Sequence, residues 1–404
     1  MGSKFGLVIL LARFLSPAEL GLYGLLVVSV AFGVVVLGGD FYSYAHRHLL
    51  GSPKSEHSHI VLQQVIGNLI LYPPMLALMG LLFVFDLLPR SVAVWFFALL
   101  VVEHISQEIY RLIVVLRHPV LAGMLLFVRQ GSWVLALVPM LWFTSSTRDL
   151  HFVLAAWTMG GVLSVVLGGV CVARLVPSWS IVRVDWQWLR RGYLVAVKFL
   201  IATMCFRFLQ TADRYVVEWL MNPDFLGAYV LFAGIALALT NLLEPAVFSF
   251  LYPPLVAALR NGEAAEFSKV FRRLWVATLA LTMAMVLLVV LLIGPTLEWI
   301  GKPLYREQMS LLWILLLAAI LYAASAAIHY AIYARGEDVT IVAAHVSAIP
   351  VFAIAIALSA AEYPHFAAAI GMAAAFAWIG LVKLWRYINP RQALLVSKLD
   401  GGTV

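Results

Sequence analysis

One apolar stretch of the chain carries polar and charged side chains at helical spacing, and their types suit the binding of an anion. They recur at steps of three and four residues and therefore lie along one face of a helix: Thr203, Arg207, Gln210, Thr211, Arg214 and Glu218. Arg207 lies near the middle of the stretch, Asp213 lies beside the polar face, and Lys198 lies near the beginning. Arginine suits a phosphate or pyrophosphate because its guanidinium is planar, always charged and able to donate two parallel hydrogen bonds.

Three further apolar stretches carry charge. One of them has Glu103, His104, Gln107, Glu108 and Arg111 on one broad face. Another has Arg129 and Gln130, and a third has Asn241 and Glu244, just before Pro245. Pro245 lacks a backbone donor, so we expect an irregularity there. Internal ion pairs are the alternative to an anion site, and Glu108–Arg111 and Arg214–Glu218 have the required spacing. Arg129 and Arg207 have no acid within four residues, so we prefer them as anion ligands.

These patterns predict two sets of functional side chains. The substrate-binding set is Arg129, Arg207, Arg214, Arg111 and Lys198, and the ion-coupling set, for a proton or sodium, is Asp213, Glu218, Glu244 and Glu103. We predict no catalytic residue and no metal site, because the two His-x-His pairs between His46 and His59 lie in one connection without a cysteine and favour a solvated loop. The sequence has no phosphate-binding loop of the Gly-x-x-x-x-Gly-Lys type, so we expect neither ATP use nor a cofactor.

The composition predicts a membrane protein built from α-helices. Of the 404 residues, 64% are hydrophobic and 12% are charged, which excludes a soluble globular domain. The long stretches do not alternate as the strands of a barrel would. The expected fold class is an all-α polytopic membrane protein with about twelve transmembrane helices in two pseudo-symmetric six-helix bundles. The expected spans are 2–15, 20–39, 60–84, 91–116, 120–143, 151–174, 193–220, 225–251, 272–294, 308–333, 340–361 and 364–387.

Basic residues are concentrated in alternate connections, which predicts the orientation of the chain. By the positive-inside rule both termini lie in the cytoplasm. The expected domains are 1–176, an N-terminal bundle with a shortened first helix; 177–192, a cytoplasmic linker; 193–390, a C-terminal bundle; and 391–404, a cytoplasmic tail. Cys171 and Cys205 lie inside apolar stretches and are expected to pack rather than to form a disulfide.

A short motif occurs twice and relates the two halves. Ser16-Pro17-x-x-Leu20-Gly21-x-Tyr23 returns 206 positions later as Asn222-Pro223-x-x-Leu226-Gly227-x-Tyr229. A membrane chain of two like halves is the usual plan of a transporter, with the substrate held between them. Both copies fall in outward connections, so we expect the symmetry axis along the membrane normal. The same symmetry predicts either that the first helix begins about a dozen residues before Met1, which we prefer, or that it is a half-span.

The residues around these motifs resemble the signatures of the polysaccharide and O-antigen flippases, a family of the multidrug/oligosaccharidyl-lipid/polysaccharide exporter superfamily. The segment from Ala12 to Tyr23 is similar to the first signature, and Asp213-Arg214 followed by Gly227-x-Tyr229 is similar to that of the second half. Later connections are similar at Tyr252-Pro253-Pro254, Gly262-Glu263 and Gly301-x-x-x-Tyr305. The resemblance adds Arg13 to the substrate-binding set and supports Asp213 and Arg214.

The resemblance implies a multi-pass flippase in the bacterial inner membrane. Such a protein moves polyprenyl-pyrophosphate-linked oligosaccharide to the outer leaflet by alternating access, for the assembly of surface polysaccharide. Its implied partners are the lipid-linked oligosaccharide, membrane lipids, a polysaccharide polymerase and chain-length proteins, with no nucleic acid. We expect no enzyme activity, since flipping makes no bond. The alternatives are a multidrug cation antiporter of the same superfamily, a membrane-embedded polymerase or acyltransferase, and a scaffold that does not transport.

Overall fold

The computed structural model describes residues 2–176, 179 and 183–389, and all regular secondary structure within them is helical. The predicted all-α class is confirmed. The α-helices within these residues are α1 (Gly2–Phe14), α2 (Pro17–Gly38), α3 (Tyr42–Gly51), α4 (His57–Val84), α5 (Ala93–Val115), α6 (Pro119–Phe127), α7 (Trp133–Phe143), α8 (Leu150–Leu175), α9 (Trp186–Leu220), α10 (Pro223–Leu243), α11 (Ser249–Arg260), α12 (Ala264–Ile300), α13 (Pro303–Glu307), α14 (Ser310–Ala334), α15 (Asp338–Ala360) and α16 (Pro364–Ile388).

Ten helical stretches among the described residues are long and apolar enough to cross a membrane. They are Pro17–Gly38, Lys54–Val84, Arg90–Val115, Pro119–Phe143, Leu150–Leu175, Pro223–Arg260, Ala264–Ile300, Ser310–Ala334, Asp338–Ala360 and Pro364–Ile388. The other two predicted segments are helical as well: α1 has 13 residues and α9 has 35. α9 is less apolar than the ten stretches, because charged residues, including those of the polar face described above, interrupt its apolar sequence.

The chain folds into two compact units. The first contains the described residues up to Gly234 together with Pro295–Met309, and the second contains Ile235–Gly294 and the described residues from Ser310 onward. In the first unit α2 packs against α4, α5 and α9, and α5 packs against α8. In the second unit α16 packs along both α14 and α15. The division at 1–176 and 193–390 describes the duplicated sequence and stays a prediction.

Both copies of the repeated motif begin a helix in the same way. Ser16 caps α2, and its side chain accepts from the Glu19 amide while Glu19 accepts from the Ser16 amide at 2.8 Å, which makes a capping box. In the second copy the Asn222 side chain accepts from the Phe225 amide at 2.8 Å. A proline follows each capping residue, at the position where its missing N–H costs no hydrogen bond.

The glycines of the two motif copies allow these helix starts to touch within the first unit. A Cβ added at Gly21 would lie 2.9 Å from the carbonyl oxygen of Pro223, and one at Gly227 would lie 2.0 Å from the carbonyl oxygen of Pro17. The contact is thus reciprocal, and only glycine leaves room for it. The repeat that the sequence shows is therefore a packing device as well as a sign of duplication.

Two of the membrane stretches are interrupted by a π-helical turn, at Val128–Ser132 and at Glu244–Phe248. The first turn carries Arg129. The second carries Glu244 and Pro245, and the Ser249 hydroxyl donates to the Glu244 carbonyl at 2.9 Å. The irregularity expected at Pro245 takes this form. Such turns often occur at functional sites, because they redirect a side chain without ending the helix.

Candidate functional site

Charged residues predicted on separate segments meet in the first unit. Arg111 of α5 and Arg207 of α9 both lie close enough to Asp40, in the turn after α2, for their charges to act on its carboxylate. The short helix α3 follows Asp40 and packs against α4, α5 and α9. We call the following residues the Asp40 cluster: Asp40, Tyr42, His46, Gln64, Glu108, Arg111 and Arg207.

Arg111 is held by an ion pair and by an aromatic ring. Its Nη1 donates to Glu108 Oε1 at 2.9 Å, and its guanidinium carbon lies 3.6 Å from the centre of the Tyr42 ring. Gln64 Nε2 donates to the second Glu108 oxygen at 2.6 Å. The predicted Glu108–Arg111 pair is confirmed. The Arg111 side chain is 25% exposed and that of Glu108 is 12% exposed, so an incoming ligand meets the cation first.

Arg207 lies on the predicted polar face of α9 and is partly exposed. Its Nη1 donates to Gln210 Oε1 at 3.2 Å, and its carbonyl accepts from the Thr211 hydroxyl at 2.9 Å. Two members of the face therefore orient the arginine. The helix thus presents one cation toward Asp40, and α5 presents another.

Asp40 is a candidate residue that the sequence analysis missed. It is 6% exposed, and it and Gly39 have φ angles of 52° and 53°, a left-handed conformation that aspartate tolerates better than most residues do. Burial raises the pKa of Asp40, and a hydrogen bond from Thr203 and the charge of Arg111 oppose that rise. The available signal was the acid directly after the Gly38-Gly39 pair that ends α2.

His46 is buried on α3, near Glu108 and Arg111. Burial lowers the pKa of His46 to about 4, so the ring is neutral at pH 7 and adds no positive charge to the cluster. Its Nε2 has no hydrogen-bond partner among the described residues. The prediction of a solvated histidine loop is wrong for His46, whereas His48 and His59 are exposed.

Arg129 has an acidic partner on another helix, although no acid lies within four residues of it along the chain. Its Nε donates to Glu103 Oε2 at 2.7 Å, its Nη2 contacts the same oxygen, and Trp157 Nε1 donates to Glu103 Oε1 at 2.6 Å. The arginine is 7% exposed and the glutamate 4% exposed. This pair joins α5, the π-helical turn and α8 inside the first unit. It occupies the charges of both residues, which removes the reason for choosing Arg129 as an anion ligand.

The spacing of Arg214 and Glu218 suggests an ion pair between them, but Arg214 pairs with its neighbour Asp213 instead. Its Nη1 donates to both Asp213 oxygens, at 2.8 and 2.9 Å, and the Tyr229 hydroxyl donates to Asp213 at 2.9 Å. Tyr229 is the tyrosine of the second motif copy. All three side chains are buried. In Glu218, Oε2 is buried without a hydrogen-bond partner among the described residues.

Arg13 and Lys302 cap helix ends reciprocally in the first unit. Arg13 at the end of α1 donates to the Trp299 carbonyl in the last turn of α12 and lies 4.4 Å from the Trp299 ring centre. Lys302 donates to the Ala12 carbonyl at 2.7 Å and also to that of Leu15. Burial lowers the pKa of Lys302. These contacts give Arg13 a role in packing. The side chain of Lys198 lies outside the described part of the structure.

Glu244 lies in the second unit, at the start of its π-helical turn. Its carboxylate is exposed and accepts from the Tyr330 hydroxyl of α14. The Tyr330 ring lies 4.4 Å from that of Phe248 and 5.2 Å from that of Tyr252, measured between ring centres. Glu244 and the Asp40 cluster therefore belong to different units.

Comparison with known proteins establishes the fold. The sequence matches no protein-family model and no curated protein. An inward-facing structure of a multidrug resistance MATE family transporter of the MOP superfamily matches with a TM-score of 0.74 at 14% identity, over 96% of this chain and 94% of that one. The chain has a MATE-like fold.

Two other structures with this MATE-like fold also match the chain over nearly its whole length. A crystal structure of a Vibrio cholerae MATE transporter has a TM-score of 0.56 at 14% identity, covering 96% of this chain and 98% of that one. A MOP superfamily transporter from Pyrococcus furiosus, whose reversed pocket polarity suggests a different function, has a TM-score of 0.55 at 13% identity, covering 95% and 91%. At such identities the likeness shows the fold, so the cargo must be inferred from the charged residues of this chain.

Acidic and basic side chains are paired within the first unit. Three membrane-helix acids of the first unit, Glu103, Glu108 and Asp213, each contact one arginine. In each pair the arginine side chain is the more exposed member. Arg207 lies near a fourth carboxylate of the first unit, that of Asp40.

Proposed function

We propose that this protein is a flippase that moves polyprenyl-pyrophosphate-linked oligosaccharide across the bacterial inner membrane. The proposal rests on one observation: Arg111 and Arg207, from two different helices, converge beside Asp40, and both are partly exposed. Two guanidinium groups at one place suit the two phosphates of a pyrophosphate, which a single cation would hold less well. The family resemblance of the repeated motifs supports the same cargo.

The charge balance of the first unit supports an anionic cargo over a cationic drug. A cation antiporter requires a carboxylate that is available to its substrate or coupling ion. Glu103 and Asp213 are buried against arginines, and Glu108 contacts both Arg111 and Gln64. Asp40 is buried too, and the charges of Arg111 and Arg207 act on its carboxylate. The MATE-like fold occurs with pockets of different polarity, as the reversed pocket of the Pyrococcus furiosus protein indicates. The residues of the site, and not the fold, therefore favour the lipid-linked glycan.

The proposed cycle follows from where each part of the cargo is stable. The two arginines hold the pyrophosphate, the sugars stay in a water-accessible space, and the polyprenyl tail stays in the bilayer. The ion pair of Arg111 with Glu108 keeps the guanidinium oriented when no cargo is bound. When the cargo leaves, Arg111 pairs with the Glu108 carboxylate again. No covalent bond is made or broken. Both termini lie in the cytoplasm, and a polymerase and chain-length proteins receive the product.

Removing either arginine of the cluster is expected to slow translocation. We expect Arg111→Gln and Arg207→Gln each to reduce the initial rate by about tenfold or more, since a hydrogen bond between charged groups contributes about 1.5–3 kcal/mol. Translocation of a fluorescent lipid-linked oligosaccharide into the outer leaflet of proteoliposomes measures the rate. Arg174→Gln, at an exposed arginine near the end of α8, is the matched control and should retain the wild-type rate. Wild-type rates in both cluster variants at equal reconstitution would contradict the proposal.

A further inference from the structure

A cavity that does not involve the Asp40 cluster lies in the first unit, where the two motif copies meet. Its volume is about 560 Å³, and it is partly open to the surface. Three segments of the chain line it: Pro17 of the first motif copy, the start of α10 with the second copy, and the connection from Lys302 to Gln308. All three segments belong to the first unit. The cavity thus joins parts of the chain that are far apart in sequence.

The walls of this cavity are fixed by contacts of the motif copies. The close approach at Gly21, where an added Cβ would lie 2.9 Å from the Pro223 carbonyl oxygen, holds the start of α2 against that of α10. Lys302 Nζ donates to the Ala12 carbonyl at 2.7 Å, which ties the third segment to the end of α1. The contacts that build the helix starts therefore also preform the cavity, so a ligand need not order it.

Four side chains bring polar atoms to the lining: Asn222, Asp224, Lys302 and Gln308. Asn222 caps α10 through Oδ1, so its two N–H groups are not used by the cap. The ammonium of Lys302 carries three hydrogens, and the carbonyls of Ala12 and Leu15 accept two of them. The Asp224 carboxylate only accepts, and the Gln308 amide both donates and accepts. Donors and acceptors therefore face one space, as a ligand with several hydroxyl groups requires.

The charge of the lining favours an uncharged ligand. It contains one carboxylate, Asp224, and one ammonium, Lys302. A phosphate would meet the first and a cation the second, so neither sign of charge gains from the whole set. Met221, Phe225 and Leu304 provide apolar surface between the polar groups. This mixture suits a sugar ring, which has hydroxyl groups around its edge and C–H groups on its faces.

Tyr305 adds a buried donor next to the cavity. It is the tyrosine of the Gly301-x-x-x-Tyr305 motif, it is 0% exposed, and its hydroxyl has no hydrogen-bond partner among the described residues. Lys302 Nζ lies 6.0 Å from its ring centre. Burial and the charge of Asp224 raise the pKa of Tyr305, so the hydroxyl keeps its proton and can donate. An unpaired buried donor is costly, and an acceptor in the cavity would relieve that cost.

We propose that this cavity binds an uncharged sugar unit of the lipid-linked oligosaccharide on the outward side of the membrane. The inference rests on the proposed function, and on the positive-inside rule, which places the connections that carry both motif copies outside. Arg111 and Arg207 hold the pyrophosphate during the crossing, and the cavity holds a sugar once the glycan has reached the outside. Binding there competes with return of the glycan to the inner leaflet.

The test measures binding of the free oligosaccharide. Mild acid releases it from the polyprenyl-pyrophosphate lipid of the transport assay, and saturation-transfer NMR with the protein in detergent detects the bound sugar protons. We expect Asp224→Asn/Gln308→Ala to weaken binding by about tenfold or more, since it removes one charged and one neutral hydrogen-bonding group. Asp86→Asn/Glu307→Ala is the matched control, because both side chains are exposed and lie outside the lining. It should bind as wild type does.

Each outcome decides for or against the sugar site. If the double variant does not fold, Gln308→Ala alone should weaken binding by about threefold or more. Equal binding by wild type and the folded double variant would overturn the site, and so would displacement of the oligosaccharide by inorganic pyrophosphate. Translocation of the glycan lipid without saturation transfer to the free oligosaccharide would overturn the site and leave the proposed function standing. If wild type moves no glycan lipid but binds the oligosaccharide through Asp224 and Gln308, the proposed function fails and the site stands.

Discussion

Replacing Gly227 by alanine is expected to destabilise the first unit by about 3 kcal/mol or more, because overpacking at a fixed contact has costs of that order. The new Cβ would lie 2.0 Å from the carbonyl oxygen of Pro17, and that atom is backbone, so no side-chain rotation relieves the clash. The two motif copies would have to separate. Thermal unfolding of the purified protein in detergent, and its yield in the membrane fraction, measure the effect.

A graded series of glycine variants controls for the substitution itself. At Gly21 the Cβ would lie 2.9 Å from the Pro223 carbonyl oxygen, so Gly21→Ala is expected to have a smaller effect than Gly227→Ala. At Gly169, exposed on α8, no atom beyond its own stretch of helix lies within 4 Å of the added carbon. Gly169→Ala should be neutral or slightly stabilising, since alanine favours a helix by up to about 1 kcal/mol over glycine. Equal stability of all three variants would show that the motif copies do not pack as described.

Removing the acid of the buried Glu103–Arg129 pair is expected to destabilise the protein by about 3–5 kcal/mol. In Glu103→Gln the guanidinium stays buried without its counter-charge, and the hydrogen bond from Trp157 Nε1 is weakened. The double variant Glu103→Gln/Arg129→Gln has no unpaired charge, so it should be more stable than Glu103→Gln alone. Denaturant unfolding in mixed micelles, followed through tryptophan fluorescence, measures the three free energies.

An exposed ion pair provides the control for this cycle. Arg306 and Glu298 lie 3.4 Å apart, with side chains that are 58% and 71% exposed. Arg306→Gln is expected to change the free energy of unfolding by less than about 1 kcal/mol. If Glu103→Gln were no more harmful than Arg306→Gln, or if the double variant were the least stable of all, Arg129 would have to be free for a ligand, as its sequence context had suggested.

The features that the sequence predicted correctly are those that depend on neighbours along the chain. The apolar stretches predict the helical class because lipid leaves few other backbone structures. Glu108 and Arg111 lie three residues apart on α5, so their pairing follows from the helix period alone. The repeated motif predicts two related halves, and in the structure its two copies have the same local form, with Ser16 and Asn222 as N-terminal caps.

The features that it predicted wrongly, or missed, depend on packing between helices. Glu103 lies 26 residues from Arg129, on another helix, and no spacing rule connects them. Arg214 had two acids within reach, and the choice of Asp213 over Glu218 depends on Tyr229, which donates to the chosen carboxylate from α10. Asp40 lies in a turn after α2, so it is not part of the three- and four-residue spacing of polar side chains within the apolar stretches. The ion-pair partner of a charged residue in a membrane helix can therefore be identified only from the tertiary structure.

The central claim is that the cargo is an anionic lipid-linked glycan. Purified wild-type protein in one batch of proteoliposomes should be given, in parallel, a fluorescent polyprenyl-pyrophosphate-linked oligosaccharide and a cationic dye. We expect translocation of the glycan lipid at least about tenfold above protein-free vesicles, and dye efflux equal to that of protein-free vesicles. Efflux of the dye without movement of the glycan lipid would contradict the claim and would assign the Asp40 cluster to a cation transporter.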